Sequence, residues 1–240
     1  MNMGVHMKKL AMAAAALTLA LPANAAVELV KNGSFESSSV GAGQKVKFAA
    51  ADVADWTGGY NLTFVAAPGT ADDHLLWLDV YGPFPYESPV GGNFVLADAD
   101  PAFSGVFSQS ISGLTVGKTY ELNFWQAAGQ QAGWTGPTTE QWEVTFGDTT
   151  KLSDLFSLPE AGVGPWEKQT MTFTATSTTQ LLSFLAKGTP GGAPPISFLD
   201  GVSLQEVVPG VPEPATWAML LVGFGAVGFA ARRRTTTATA

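Results

Sequence analysis

The chain has 240 residues, with 20 acidic and 12 basic side chains and no cysteine. The lack of cysteine excludes disulfides, thiol catalysis and thiolate metal sites. Between residues 26 and 207 there are 19 acids, seven lysines and no arginine, which argues against a nucleic-acid-binding protein. An anionic surface of this kind favours solubility and the binding of cations such as calcium.

Residues 1–25 have the pattern of an export signal. Two lysines precede an apolar stretch at residues 10–21, and Ala23 and Ala25 form a small-residue cleavage site around one asparagine. The apolar stretch is too short to span a bilayer as a helix. We therefore predict a signal peptide helix that signal peptidase removes after Ala25.

Residues 26–207 are predicted to form one all-β domain. Apolar residues recur at every second position in five segments, the spacing of a strand with one buried face. These positions are Tyr120, Leu122 and Phe124; Trp142, Val144 and Phe146; Met171, Phe173 and Ala175; Leu182, Phe184 and Ala186; and Ile196, Phe198, Val202 and Leu204. Turn-forming residues separate them, so we expect a jelly-roll β-sandwich in which segment 182–186 is central and Gly201 forms a bulge.

Aromatic side chains in two loops are candidates for sugar binding. Trp134 lies between glycines in one loop, close to Gln130 and Gln131, whose amides could bind sugar hydroxyls. Exposed rings stack on the apolar faces of sugars, whereas buried rings would close the ends of the sandwich. We leave both roles open for Trp134. The other loop contains Trp77, Tyr81, Phe84 and Tyr86, and there we favour the closing role for Trp77 and Tyr81.

Acidic pairs in two loops offer oxygen atoms that could bind calcium, but neither pair matches the twelve-residue EF-hand loop. We expect these residues to be solvated rather than to bind metal; they are Asp72, Asp73, Asp98 and Asp100. His74 is the only histidine between residues 26 and 207, and no Ser-His-Asp set or zinc motif can be built around it. We therefore expect no enzymatic activity, although two facing carboxylates of a glycosidase remain open.

The C-terminal end carries a second apolar run. Residues 215–231 contain no charge and are followed by Arg232, Arg233 and Arg234. A helix of this length spans about 26 Å, slightly less than the bilayer core of ~30 Å. Because arginine side chains can extend to the headgroups, we predict a single transmembrane helix whose arginines stop translocation.

The segment before this run resembles the PEP-CTERM sorting signal in its PEPxxWA variant. The matching residues are Pro212, Glu213, Pro214, Trp217 and Ala218, followed by the apolar run and the arginines in the order that the family shows. The resemblance implies recognition by exosortase, an integral-membrane cysteine protease of Gram-negative bacteria. Its substrates are often encoded near exopolysaccharide genes.

The central domain resembles galactose-binding-like jelly rolls, which include many carbohydrate-binding modules. Segment 29–36 looks like their first strand and turn, segment 107–125 like their central hairpin, and segment 196–204 like their last strand. The resemblance implies a structural calcium ion held by Glu36 and Asp200, because the first and last strands of these folds are neighbours. Alternatively, Asp200 and Asn32 simply cap turns.

These signals divide the chain into five predicted parts. They are a signal peptide (1–25), a β-sandwich (26–207), a linker (208–211), a sorting signal (212–234) and a disordered tail (235–240). We expect an exported exosortase substrate at the surface or in the extracellular matrix of a Gram-negative bacterium, meeting the inner membrane only transiently. A structural or adhesive role in the envelope or exopolysaccharide matrix is favoured. The alternative is a carbohydrate-binding module for a neutral glycan. A glycosidase is a second, weaker alternative.

Overall fold

A computed structural model of the protein describes residues 26–49, 52–59, 62–73, 78–208 and 214–234. Several predictions from the sequence lie outside these residues. They concern the signal peptide with Ala23 and Ala25, His74, Trp77, the sorting residues Pro212 and Glu213, the tail 235–240 and the side chains of Pro214, Arg233 and Arg234.

Two antiparallel sheets form the compact unit Ala26–Val208. The strands of the described residues are β1 (Lys45–Lys47), β2 (Thr57–Gly58), β3 (Thr63–Ala66), β4 (Phe94–Asp98), β5 (Phe107–Ser112), β6 (Thr119–Gln130), β7 (Thr138–Phe146), β8 (Thr149–Leu152), β9 (Phe156–Leu158), β10 (Val163–Thr174), β11 (Thr179–Thr189) and β12 (Pro195–Glu206). The first sheet has the order β1-β3-β4-β12-β6-β10, and the second has the order β2-β5-β11-β7-β8 with β9 paired to β7. The predicted all-β sandwich is confirmed, and the five predicted segments lie in β6, β7, β10, β11 and β12.

Apolar side chains that alternate with polar ones along each strand fill the space between the sheets. Phe107 and Phe184 stack with their ring centroids 5.6 Å apart, and Trp142 meets Phe184 edge to face at 6.1 Å. The indole Nε1 of Trp142 donates a hydrogen bond of 2.9 Å to the carbonyl of Phe198. This buried bond joins β7 of the second sheet to β12 of the first, so it fixes how the two sheets face each other.

A second apolar cluster covers the outer face of the first sheet. Phe84, from the segment between β3 and β4, stacks on Phe198 with centroids 4.1 Å apart. The predicted bulge is confirmed, because the register of β12 shifts between Asp200 and Ser203, and Gly201 has a φ of 60°. The shift changes the face of the strand: residues 196–199 place Phe198 in the outer cluster, whereas Val202 and Leu204 point into the inner core.

Two details of the predicted strand arrangement are wrong. Segment 107–125 is not a hairpin, because β5 pairs with β2 and β11 while β6 pairs with β10 and β12 in the other sheet. Leu114 lies in the connection from β5 to β6, which crosses the end of the sandwich. Its side chain is buried in the core, and its amide donates a hydrogen bond of 3.1 Å to the Thr178 carbonyl. Segment 29–36 forms no strand, although the Leu29 amide bonds to the Leu204 carbonyl at 3.0 Å.

The C-terminal segment forms helix α1 (Pro214–Arg234), which includes the predicted apolar run. Proline suits the first turn of a helix, where its missing N–H would have no partner. Among the described residues, no helix combines the length and the hydropathy of a candidate membrane span. The prediction of a single transmembrane helix therefore finds no support among these residues.

Glu140 is fully buried on the inward face of β7, which it shares with Trp142. No normal hydrogen bond from the described residues reaches either of its carboxylate oxygens. Burial raises the pKa of Glu140 to about 8, and the neighbouring Thr138 hydroxyl opposes this shift only weakly. The folded protein therefore holds Glu140 in its neutral form at neutral pH.

This burial predicts a stability that falls as the pH rises. The folded pKa of Glu140 exceeds its ordinary value of 4.5, so the free energy of unfolding decreases between about pH 4.5 and pH 8. Asp98 and Asp200, with pKa values raised to about 6 and about 7, contribute to the fall in the same direction, and Asp200 still titrates between pH 7 and pH 8. We therefore expect Glu140→Gln to reduce the slope between pH 7 and pH 8 without abolishing it, and to stabilise the protein at pH 8 by on the order of a few kcal/mol.

Urea unfolding of the two proteins at these pH values measures the effect. Glu143→Gln is the matched control, because Glu143 lies on the outward face of the same strand in an exposed ion pair with Lys187. Such a pair contributes at most about 1 kcal/mol. An equal slope for wild type and Glu140→Gln above pH 7 would show that Glu140 is ionised in the folded state.

Candidate functional site

The acids Glu36 and Asp200, far apart in the sequence, lie close enough for their charges to interact. Asp200 directly precedes the bulge of β12, and its carboxylate accepts hydrogen bonds from the Ser88 hydroxyl and, at 2.6 Å, from the Gly201 amide. Glu36 follows Phe35, which has a φ of 58°, and its Oε1 accepts a bond of 2.6 Å from the Asn93 amide. The structure thus brings the two predicted calcium ligands together.

Asp200 is fully buried, and burial is the main reason why its pKa rises to about 7. The negative charge of Glu36 raises the pKa further, while the bonds from Ser88 and Gly201 lower it. Among the described residues, no ion pair joins a lysine to either acid. A cation between the two carboxylates would remove their repulsion, and oxygen ligands of this kind suit calcium.

The described residues contain no group of three or more His, Asp or Glu side chains arranged around one metal position. Calcium binding by Glu36 and Asp200 therefore stays a prediction, and the other oxygen ligands would have to be carbonyls, hydroxyls or water. The alternative of turn capping applies to Asn32. Its Oδ1 accepts a bond of 2.9 Å from the Ser37 amide, and its Nδ2 donates one of 2.8 Å to the Ala54 carbonyl.

Trp134 is 44% exposed at the tip of the loop between β6 and β7. Tyr81 supports this loop: its hydroxyl donates a bond of 2.8 Å to the Trp134 carbonyl and accepts one of 3.2 Å from the Gly133 amide. Tyr81 thus anchors this loop through its hydroxyl, Phe84 is buried against Phe198, and Tyr86 is 68% exposed. The Trp134 ring is accessible to a ligand.

Gln130 is not available to a ligand, so its predicted role is wrong. Its side chain is fully buried, with Nε2 donating to the Gly136 carbonyl at 2.9 Å and Oε1 accepting from the Ala161 amide at 2.6 Å. The amide thus ties two loops together beneath Trp134. Gln131 is half-buried, and a role in binding stays a prediction for it.

The four loop acids have structural contacts, which corrects the expectation that they are solvated. Asp72 accepts a bond of 2.9 Å from the Phe84 amide, and Asp73 forms an ion pair with Lys45. Asp98 and Asp100 are buried, and Asp100 accepts bonds of 2.8 Å from two backbone amides. These carboxylates fix the loops that surround the sheets.

A groove on the outer face of the second sheet was not predicted. It has a volume of about 450 Å³, and the side chains at its wall are Pro101, Ser104, Thr139, Gln141, Leu185, Lys187 and Thr189. Thr139 and Gln141 are the outward positions of β7, and Lys187 and Thr189 are those of β11. In the sequence, such a site is visible only as the polar residues that alternate with apolar ones along the strands.

Hydroxyl groups continue this face across the whole second sheet. Strand pairing places five Ser and Thr residues opposite one another in one row, which runs Thr57, Ser108, Ser183, Thr145 and Thr150. The hydroxyls of Thr145 and Thr150 lie 2.9 Å apart. Lys187 in the groove pairs with Glu143 at 2.9 Å, so the face offers mainly neutral donors and acceptors.

Comparison with known proteins identifies the C-terminal end. Residues 210–234 match the PEP-CTERM protein-sorting motif. The chain carries this motif at the position that the sequence predicts, and the match includes all five predicted sorting residues and the three arginines. Trp217 of the motif is 55% exposed in helix α1.

A curated relative is halomucin of Haloquadratum walsbyi, which is 29% identical over 185 residues. The match covers 74% of this chain but spans only 2% of the relative's length. Among solved structures, the K3 adhesin domain of Lys-gingipain from Porphyromonas gingivalis has a TM-score of 0.43 and 14% identity, covering 75% of this chain and 99% of that one.

Two carbohydrate-binding modules are also similar. TmCBM61, solved with β-1,4-galactotriose, has a TM-score of 0.40 and 16% identity, covering 74% of this chain and 97% of that one. The CBM22-1 xylan-binding domain of Paenibacillus barcinonensis Xyn10C has a TM-score of 0.39 and 16% identity, and the match covers 79% of this chain and 100% of that one. Similarities this remote do not say what this chain binds.

Proposed function

We propose that this chain is an exported surface protein that exosortase processes and that attaches to a neutral glycan of the envelope or exopolysaccharide matrix. The groove of the second sheet, with the hydroxyl row beside it, is the observation that carries the glycan half of the proposal. The PEP-CTERM motif carries the sorting half. Binding of a matrix glycan would give the structural or adhesive role a physical basis.

The sorting half follows from the motif and the residues around it. The sequence has prolines at positions 212 and 214, and a proline disfavours the helical conformation of the residue before it. An extended segment at this point could bind along a protease as a strand. Signal peptidase would act first, after Ala25, and exosortase would then act at the C-terminal motif. In this scheme the motif residues are recognised rather than catalytic.

The glycan half follows from the chemistry of the face. Hydroxyl and amide groups such as those of Thr139 and Gln141 exchange hydrogen bonds with sugar hydroxyls, and Leu185 offers an apolar contact. An anionic polysaccharide would meet a chain of net charge −8, and Lys187 already pairs with Glu143. A neutral polymer is therefore the ligand that fits best.

Glycoside hydrolysis is the weaker alternative, since it requires two carboxylates on either side of a bound sugar. Over the described residues, the groove presents hydroxyl, amide, amine and apolar side chains. Binding without catalysis is the function that this lining supports.

We also propose a structural calcium ion between Glu36 and Asp200. The buried position of Asp200, the repulsion from Glu36 and the geometry of the bulge support it. The ion would join the segment after Asn32 to the middle of β12. Because β12 belongs to the first sheet and the groove lies on the outer face of the second, the ion would stabilise the fold rather than contact the glycan.

Processing at both ends is the first expected outcome. The intact mass of the protein from its native host should correspond to a start at Ala26 and to loss of the C-terminal apolar run. A strain without exosortase should retain that run, since the motif is recognised by this enzyme. A mature protein that still contains Arg232–Arg234 in an exosortase-positive host contradicts the sorting half.

Glycan binding should depend on the groove. Thr139→Ala combined with Gln141→Ala removes three hydrogen-bonding groups from the wall and should weaken binding to a neutral polysaccharide about tenfold or more. Affinity gel electrophoresis with neutral and acidic polysaccharides measures this, and binding should be insensitive to salt. Thr174→Ala on exposed β10 of the first sheet is the control.

The variant Trp134→Ala distinguishes a ligand that binds in the groove from one that binds at the loop tryptophan. Unchanged binding by this variant, with loss in the groove variant, places the ligand in the groove. Loss in Trp134→Ala alone moves the site to the loop between β6 and β7. Binding only to acidic polysaccharides, weakened by salt, contradicts the proposal.

Calcium should stabilise the protein in a pH-dependent way. The ion competes with the proton on Asp200, whose pKa is about 7, so the rise in Tm on adding calcium should be larger above pH 7 than below it. Asp200→Asn should remove the rise, and Asp148→Asn should keep it. A Tm that is the same with calcium and with chelator above pH 7 rejects the ion.

A further inference from the structure

Lys45 of β1 is a buried lysine in contact with two carboxylates. Only 1% of its side chain is exposed, and its Nζ lies 3.0 Å from Oδ1 of Asp73 and in still closer contact with Oδ1 of Asp79. The side chains of Asp73 and Asp79 are 16% and 9% exposed. A primary amine and two carboxyl groups therefore meet at one point that is largely closed to water.

The surroundings of this triad are apolar and fixed. Ala66, which pairs with Lys45, is fully buried, and so are Leu78 and Val80 on either side of Asp79. The backbone next to Asp79 is held on both sides: its carbonyl accepts a bond of 2.8 Å from the Ala132 amide, and the Val80 amide donates one of 3.0 Å to a carbonyl of the covering segment. Little motion is left to separate Nζ from the Asp79 carboxyl.

We propose that Lys45 and Asp79 condense to form an intramolecular isopeptide bond, with Asp73 as the proton carrier. A desolvated lysine beside a general base is an activated nucleophile. Exclusion of water, which would otherwise hydrolyse the product, favours the amide. This proposal is independent of the glycan and calcium proposals.

The reaction balances without a cofactor. A proton first moves from the Lys45 ammonium to the carboxyl pair, and the neutral Nζ then attacks Cγ of Asp79 to form the C–N bond. Asp73 takes one proton from Nζ and delivers it to the departing oxygen, so that the C–O bond breaks and one water molecule leaves. Asp73 returns to its starting form, and nothing is oxidised or reduced.

The bond would supply a covalent tie that the chain otherwise lacks. The protein has no cysteine, and β1 is a three-residue edge strand whose one strand partner is β3. A bond from β1 to the segment over the outer cluster would close a loop from residue 45 to residue 79. Closing such a loop lowers the entropy of the unfolded chain, as a disulfide does.

Condensation also removes a buried ion pair. Such a pair loses much hydration energy when it leaves water. The amide removes the charges of Lys45 and Asp79 together, so that only the negative charge of Asp73 is left at the site. Asp73, the more exposed of the two acids, is the one that remains ionisable.

Tryptic digestion of the purified full-length protein tests the proposal, because trypsin does not cleave after an acylated lysine. The bond predicts one branched species in which residues 32–47 are joined to residues 48–118. Its mass should be the sum of the two peptides minus one water molecule. Separate peptides 32–45 and 48–118 of unmodified mass would show an ion pair only and would overturn the proposal.

Variants assign the roles. Asp79→Ala should release the two peptides, and Lys47→Arg, on the exposed neighbour in β1, should leave the branch intact. Asp73→Asn keeps Lys45 and Asp79 in place but should lower the cross-linked fraction at least tenfold after equal times. Full cross-linking in Asp73→Asn would overturn the role of Asp73, and the wild-type digest decides the bond itself even if a variant fails to fold.

Discussion

The bulge of β12 at Asp200 and Gly201 is the constraint on which the sandwich depends. β12 pairs with both β4 and β6. A change in which side chains of β12 face the core therefore affects the packing next to both neighbouring strands. Before the bulge the strand supports the outer aromatic cluster, and after it the strand fills the core between the sheets. Asp200, which lies near Glu36, directly precedes this irregularity. The change in packing and the candidate ion site are thus neighbours on the same strand.

Buried polar groups connect distant segments of this cysteine-free domain, as disulfides do in other proteins. Gln130 joins two loops through its amide, Trp142 joins the two sheets through its indole, and Lys45 joins β1 to the covering segment. Each contact bridges parts of the chain that the ladders of the sheets leave unconnected. The faces that remain free are then available for ligands, and the second sheet presents the larger polar one.

The sequence predicts the strands well because their pattern is local, and it misses what depends on partners distant in the chain. The alternation at Trp142–Phe146 and the bulge at Gly201 follow from neighbouring residues, and both are confirmed. The assignment of β5 and β6 to different sheets follows from where Leu114 is buried, which no local pattern shows. The roles of Gln130 and of the groove residues likewise depend on segments that fold against them from elsewhere.

The position of β12 also determines how the domain would carry a mechanical load. The sorting motif follows β12 in the chain, so under the proposed function tension between the cell surface and a bound polymer would enter the sandwich at Glu206 and run along the strand. β12 is flanked by antiparallel neighbours, and its hydrogen bonds lie perpendicular to the pull. They must shear together rather than open one after another. A tether attached to an edge strand would instead peel that strand away at much lower force.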